Sequence, residues 1–349
     1  MENTTRINLT PDYQTCRIIN GGWQLSEGHK LQGQHDFTSV LKAFHQLAER
    51  GFTTFDCADI YTGVEELIGQ FILERRASSG KDDVQVHTKF VPDLSALSEV
   101  DYHYVERIIA RSLKRLNKEQ LDLVQFHWWD YQIPGCLDIA GHLVRLKEKG
   151  MIKNLGTTNF DTAHLQQLVD AGYPLVSNQT QYSVLDRRPE REMVEFCQRN
   201  GVKLLCYGSL AGGFLSESWL GKPAPQSLEN RSLVKYRLII DDSVGWDGYQ
   251  QLLCLMKEIG DRIGCSLSNV AVMYVLNKPA VGAAIVGTRS ERHIASNEKV
   301  FSSRLSSEDI QRIDDFLNRH SIPDGEPFGL EREEGNKHRN IMKMNLNDE

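Results

Sequence analysis

The chain has 349 residues, 40% hydrophobic and 25% charged, which is near the globular average and enough to bury a substantial core. A formal net charge of −7 argues against a nucleic acid or an anionic membrane as the main partner, while leaving room for a local phosphate pocket. No apolar run approaches the roughly 18 residues of a membrane span. The polar start MENTTRINLT lacks the basic-then-apolar order of a signal peptide, so the cytoplasm is the expected compartment. Seven scattered cysteines without a CxxC pair read as free thiols rather than a disulfide framework or a thiolate metal site.

In chain order, short apolar runs alternate with stretches of helical period. The first strand candidate is RIINGG (17–22). Val40, Leu41, Phe44 and Leu47 then form a helical stripe that Gly51 stops, and TTFDCA (53–58) follows as a strand. VEELIGQFIL sets Val64, Leu67, Ile68, Phe71 and Ile72 on one helical face, with Glu65 and Glu66 in the first turn, where the helix dipole favours carboxylates. After the strand VQVHTKF (84–90), Ile109, Leu113 and Leu116 mark a third helix. LDLVQFH (121–127), IKNLGTTN (152–159) and LVSNQTQ (175–181) are further strands. Pro189 suits the first turn of a helix that carries Met193, Phe196 and Cys197 and ends at Gly201. KLLCYG (203–208) is the seventh strand and AAIVGT (283–288) the eighth. Between them lies a long insertion, roughly 210–247, and a loop of that length is usually functional. Ser306 and Asp309 resemble a capping box ahead of Ile310, Ile313 and Leu317.

Eight strands rich in Val, Ile and Leu, separated by helices, predict a parallel sheet buried on both faces and closed on itself. The expected architecture is an α/β fold, a (β/α)₈ TIM barrel in a single domain over 1–349, with its core at about 15–320. The charged tail, 321–349, either packs across a barrel end or stays loose.

In such a barrel, residues at the carboxyl ends of different strands converge although they are far apart in sequence. Those ends carry Asp56, Lys89, His127, Asn159, Gln179, Tyr207 and Thr288. Strand exits are often polar, but a carboxylate and an ammonium at a half-buried mouth need partners to offset desolvation. Tyr61 lies five residues beyond Asp56, far enough for the chain to turn and bring the phenol back over the mouth. Lys89 stands on the next strand. An ammonium beside a phenol stabilises the phenolate and draws its pKa down from about 10, and Asp56 would keep that ammonium charged and oriented. The expected chemistry is a proton donor for a carbonyl oxygen, or an acceptor for an alcohol in reverse, with His127 hydrogen-bonding the same oxygen.

The same segments carry a family resemblance. FDCADIYTGVEELIG, HTKF, LDLVQFHWWD, KGMIKNLGTTNF, NQTQYS, YGSLAGGFL and IVGTRSERHIASN, in this order over roughly residues 15–320, together resemble the aldo-keto reductases. The resemblance implies a catalytic tetrad of Asp56, Tyr61, Lys89 and His127, and hydride transfer from a nicotinamide with Tyr61 as general acid. It implies a cofactor bordered by Gly22, Trp23 and Asp56, with Thr158, Asn159 and Gln179 on the carboxamide and Tyr207 stacked on the ring. Leu210 and Gly212 then fall in the loop over the pyrophosphate, and Gly287, Arg289, His293 and Asn297 in the segment that holds the adenosine 2′-phosphate. Trp23, Tyr61, His127 and Trp128 are implied as walls of a pocket for a small aldehyde, ketone or alcohol.

The adenosine segment departs from the family pattern. His293 stands where many relatives have arginine or glutamine, and Ser296 where they have a glutamate. A neutral imidazole holds a phosphate dianion less firmly than a guanidinium, so Arg289 or Arg292 has to supply the charge. NADPH is the preferred cofactor and NADH the alternative. A regulatory, cofactor-binding subunit of the same fold is the nearest rival reading, disfavoured by the complete tetrad. A zinc hydrolase has no HxH or HExxH ligand set here, and GSLAGG (208–213) lacks the GxGxxG spacing of a doubly wound dinucleotide fold.

Overall fold

The computed structural model describes residues 5–26, 36–228, 230–287 and 291–341. It opens with an antiparallel hairpin, β1 (Arg6–Thr10) and β2 (Tyr13–Cys16). Then β3 (Ile18–Gly21), β4 (Thr54–Asp56), β5 (Gln85–Phe90), β6 (Leu121–Phe126), β7 (Ile152–Thr158), β8 (Leu175–Gln181), β9 (Lys203–Tyr207) and β10 (Val281–Val286) pair in parallel, and β10 closes on β3. The expected (β/α)₈ barrel is therefore the fold. Helices on the outside cover strands such as β6, whose Leu121, Leu123 and Val124 are buried, which is why these runs read as continuous apolar sequence rather than alternation.

The helices follow their sequence signals. The stripe with two early glutamates is a helix over Val64–Ser79. Gly201 ends the helix Met193–Asn200 in the left-handed conformation, and Ser306 and Asp309 form a reciprocal capping box at the start of Ser307–Leu317. The segment 210–247 is only partly a loop. The Asn230 side chain accepts the Leu233 N–H and so caps a helix over Arg231–Ser243, whose Tyr236, Ile239 and Ile240 are buried.

The two ends of the barrel are closed by different parts of the chain. At the amino end, Leu9 and Tyr13 of the hairpin pack against Ile19, Leu123, Leu205 and Ala283, forming a separate apolar cluster inside the strand ring. The opening residues carry no strand assignment in the sequence reading, although Ile7 and Leu9, then Tyr13 and Thr15, alternate around Pro11-Asp12. At the carboxyl end the tail is packed rather than loose. The Glu326 carboxylate accepts the Thr162 N–H at 2.8 Å, Arg191 donates to the Gly325 carbonyl at 2.9 Å, and a short helix follows over Pro327–Leu330. Phe328 stacks on Tyr131 at 4.2 Å, and Tyr131 stacks in turn on His164 at 3.4 Å. Among the described residues, no helix is long and apolar enough to cross a membrane.

Candidate active site

The carboxyl ends of β4, β5, β6 and β8 place a buried polar layer across the barrel. Side chains two apart on a strand share a face, so His87 and Lys89 on β5, like Leu123 and Gln125 on β6, stand one above the other. Lys89 Nζ donates to Asp56 Oδ1 at 2.9 Å, to Oδ2 at 2.8 Å and to the Cys57 carbonyl at 2.8 Å. Gln179 and Gln125 add amide donors to Asp56 Oδ1 at 2.6 and 3.2 Å, and Gln179 also donates to the Gln125 carbonyl at 2.9 Å. Both members of the ion pair are only 4% exposed. At that depth the pair persists because every lone pair and proton has a partner, and removing one member leaves the other as an uncompensated buried charge.

Tyr61 lies over this pair, with Lys89 Nζ 5.1 Å from the centre of its ring. Trp23 meets the same ring edge to face at 5.1 Å and is itself 39% exposed, so the phenol sits between a buried cation and an open aromatic wall. The expected direction of the Tyr61 titration is corrected here. Burial, followed by the negative charge of Asp56, pushes the phenol well above its ordinary value. The second carboxylate of the segment, Asp59, accepts the Val91 N–H at 3.2 Å and pins the chain beyond β5. Its own charge is disfavoured by burial and by Glu65.

His127 follows β6 with both ring nitrogens in contact. Nδ1 lies 2.9 Å from the Thr158 carbonyl and Nε2 lies 3.0 Å from an Nη of Arg332. Burial, with the Arg332 charge adding to it, holds the imidazole well below its ordinary value, so the ring is neutral. Arg332 has no motif around it in the sequence; the only signal is that its charged tail is interrupted by the apolar group Pro327, Phe328 and Leu330. Its guanidinium lies 4.1 Å from the centre of the Phe328 ring and 5.5 Å from that of Trp129. The neighbouring Glu331 is buried and ion-paired to Lys235; burial opposes its charge, but Lys235 and Arg332 outweigh this and hold the carboxyl low.

The two tryptophans after His127 face different surroundings. Trp128 is fully buried, packed near Phe126, with its indole N–H on the Ile133 carbonyl at 3.2 Å, so it supports the pocket from behind. Trp129 stands edge-on to the His127 ring at 4.5 Å, so it is Trp129 that borders the imidazole.

These geometries match what a comparison with known proteins returns, because the aldo/keto reductase family model fits residues 17–318. The chain belongs to the aldo/keto reductase family. The chloroplastic pyridoxal reductase of Arabidopsis thaliana is 30% identical over 84% of this chain and 78% of its own. Aldo-keto reductase YhdN of Bacillus subtilis is 26% identical over 90% and 94%. Among solved structures, glycerol dehydrogenase from Gluconobacter oxydans superposes with a TM-score of 0.76 at 23% identity, covering 94% of this chain and 99% of that one. A thermostable aldo-keto reductase in complex with the inhibitor epalrestat gives 0.71 at 24% identity, covering 90% and 100%. Members of this family are oxidoreductases that use nicotinamide cofactors on small carbonyl compounds.

The residues expected to border the cofactor lie as follows. A Cβ built on Gly22 would stand 2.8 Å from the Asp56 carbonyl oxygen, to which the Gly22 N–H donates, so only glycine lets the backbone approach the mouth here. Tyr207 donates to Asn159 Oδ1 at 2.8 Å, Asn159 itself adopts a left-handed backbone, and Lys235 Nζ lies 5.1 Å over the Tyr207 ring. Gly212 has φ +64° and lies against Tyr236. Thr158 is buried, and Leu210 opens the turn Ala211–Gly213. Gly287 follows β10, while His293 and Asn297 lie on the helix Glu291–Ser302, whose Ser296 accepts both contacts of the Asn269 amide, on its carbonyl at 2.8 Å and its hydroxyl at 3.1 Å. Arg289 and Thr288 fall outside the described residues. Among the described residues, no group of three or more His, Cys, Asp or Glu side chains is arranged to hold a metal ion.

Proposed function

We propose that the protein reduces aldehydes or ketones to alcohols, or runs the reverse oxidation, with NADPH as its preferred cofactor and Tyr61 as the general acid. The observation that carries this reading is the completely partnered Asp56–Lys89 pair at the barrel mouth with the Tyr61 phenol directly above it. The residues present also fit the nicotinamide nucleotide: a glycine cradle at Gly22, the Tyr207 face, the Asn159 amide, the carbonyl of Gln179 whose N–H groups are held by Asp56 and Gln125, and the turn at Leu210 and Gly212. When bound there, the nucleotide supplies the hydride.

The protein's own groups supply the proton and the environment. Tyr61 gives its proton to the oxygen that gains charge as the carbonyl carbon is reduced, and the phenolate is reprotonated from solvent. Trp23 borders Tyr61 and Trp129 borders His127, while Phe328 and Tyr131 stack on each other, so aromatic faces line the mouth. Asp56 holds the Lys89 charge fixed beneath the phenol, where it offsets part of the cost that burial places on the phenolate. Titration with NADPH and NADH, followed by quenching of tryptophan fluorescence, together with steady-state turnover of a panel of aldehydes, tests the reading. Quenching by NADPH with turnover is expected. Tight binding without turnover of any aldehyde, ketone or alcohol would favour the regulatory subunit, and binding of neither nucleotide would remove the oxidoreductase.

A further inference from the structure

We propose that Arg332, carried into the site by the C-terminal tail, is a catalytic residue that donates a hydrogen bond to the reacting oxygen, and that His127 acts as the acceptor that positions it. The inference rests on the reductase reading above and concerns which cation touches the oxygen.

The argument is one of hydrogen inventory. A carbonyl oxygen only accepts, so the Nδ1 that faces Thr158 O at 2.9 Å must carry the imidazole proton. In a neutral ring that leaves Nε2 as a lone pair, and Nε2 accepts from Arg332 at 3.0 Å. His127 therefore has no proton to offer a substrate oxygen. The guanidinium has five N–H bonds. One goes to the His127 ring and another to the Phe328 carbonyl at 2.8 Å. Its Nε is buried, and among the described residues it has no hydrogen-bond partner. No carboxylate among them forms an ion pair with Arg332, because the adjacent Glu331 is paired to Lys235. A cation so held, with spare donors beside His127, is placed to meet the charge that develops on the oxygen.

The step balances without Arg332 changing protonation. The carbonyl carbon gains the hydride, the π electrons move to oxygen, the oxygen takes its proton from Tyr61, and Arg332 stabilises the charge in transit through its N–H. The tail, outside the barrel core, thereby completes the site.

Two measurements test this. First, Arg332→Met should lower kcat/KM by about 10²- to 10³-fold, mostly through kcat, with NADPH affinity unchanged, and millimolar guanidinium should restore part of the rate. Arg332→Lys, which keeps charge but not the fork, should fall between. An active wild type beside an Arg332→Met enzyme within about threefold of it would overturn the assignment while leaving the reductase intact. A wild type that neither binds nor oxidises NADPH would overturn both. Second, ¹⁵N NMR of the wild-type imidazoles reads the tautomer whatever the fate of the variants. His127 protonated on Nδ1 is expected, and a proton on Nε2 would overturn the assignment.

Discussion

The two ends of the barrel both bury polar groups, but they close in different ways. At the amino end, Tyr13 OH lies 3.1 Å from His87 Nε2 and Thr15 Oγ1 lies 3.5 Å from the same nitrogen, under a hairpin from the first residues of the chain. Everything there comes from segments adjacent in sequence or from the strand ring, and apolar Leu9 and Ile19 seal it. At the carboxyl end the polar layer is ionic, it is closed by residues from the opposite end of the chain, and it keeps an exposed Trp23 and donors without protein partners on Arg332. The stabilising end is uncharged and sealed by apolar side chains, whereas the reactive end is ionic and keeps guanidinium donors in reserve.

Perturbing each end should separate activity from stability. The largest effect is expected from Lys89→Met, which leaves Asp56 buried without its countercharge: activity should vanish and stability fall by about 3–5 kcal/mol, measured by urea unfolding. A Lys89→Met protein of wild-type stability would show that Asp56 is not charged in the folded state. At the other end, Tyr13→Phe removes a hydroxyl from His87 and should cost about 1–2 kcal/mol with kcat intact, and a drop in kcat would mean the two ends are coupled. The third effect is a pH trend, read on the unaltered protein. Burial pushes His87 down to about 3 and holds His127 low as well. The unfolded chain takes up those protons first, near its ordinary value of about 6.5, so stability is complete above that pH and falls below it. The slope should approach about 1.4 kcal/mol per pH unit for each buried imidazole, and a flat profile between about pH 6 and 4 would contradict the assignment.

Much of the fold was legible because a parallel strand buried on both faces writes itself as an unbroken apolar run. The run AAIV falls inside β10, and the strand ends then bring Asp56 and Lys89 together. The hairpin was harder to see because it is mostly polar and short, so its alternation is weak. The helix Arg231–Ser243 hid inside a segment whose length looked like a loop. Trp128 and Trp129 are adjacent, and only the geometry beyond β6 tells which one meets His127. Arg332 left only the faint signal of an apolar interruption in a charged tail, since its placement depends on that tail folding back over more than two hundred residues of sequence onto His127. The direction of the Tyr61 shift depends on how deeply the phenol is buried, with the Asp56 charge adding to it, which spacing does not encode.

The most direct test of a proton-delivering mouth is Tyr61→Phe, which removes one oxygen from a ring otherwise held by Trp23 and Lys89. Tryptophan quenching should give an unchanged Kd for NADPH while kcat for aldehyde reduction falls by about 10²- to 10⁴-fold. A Tyr61→Phe enzyme that turns over at the wild-type rate would place the acid elsewhere and contradict the account.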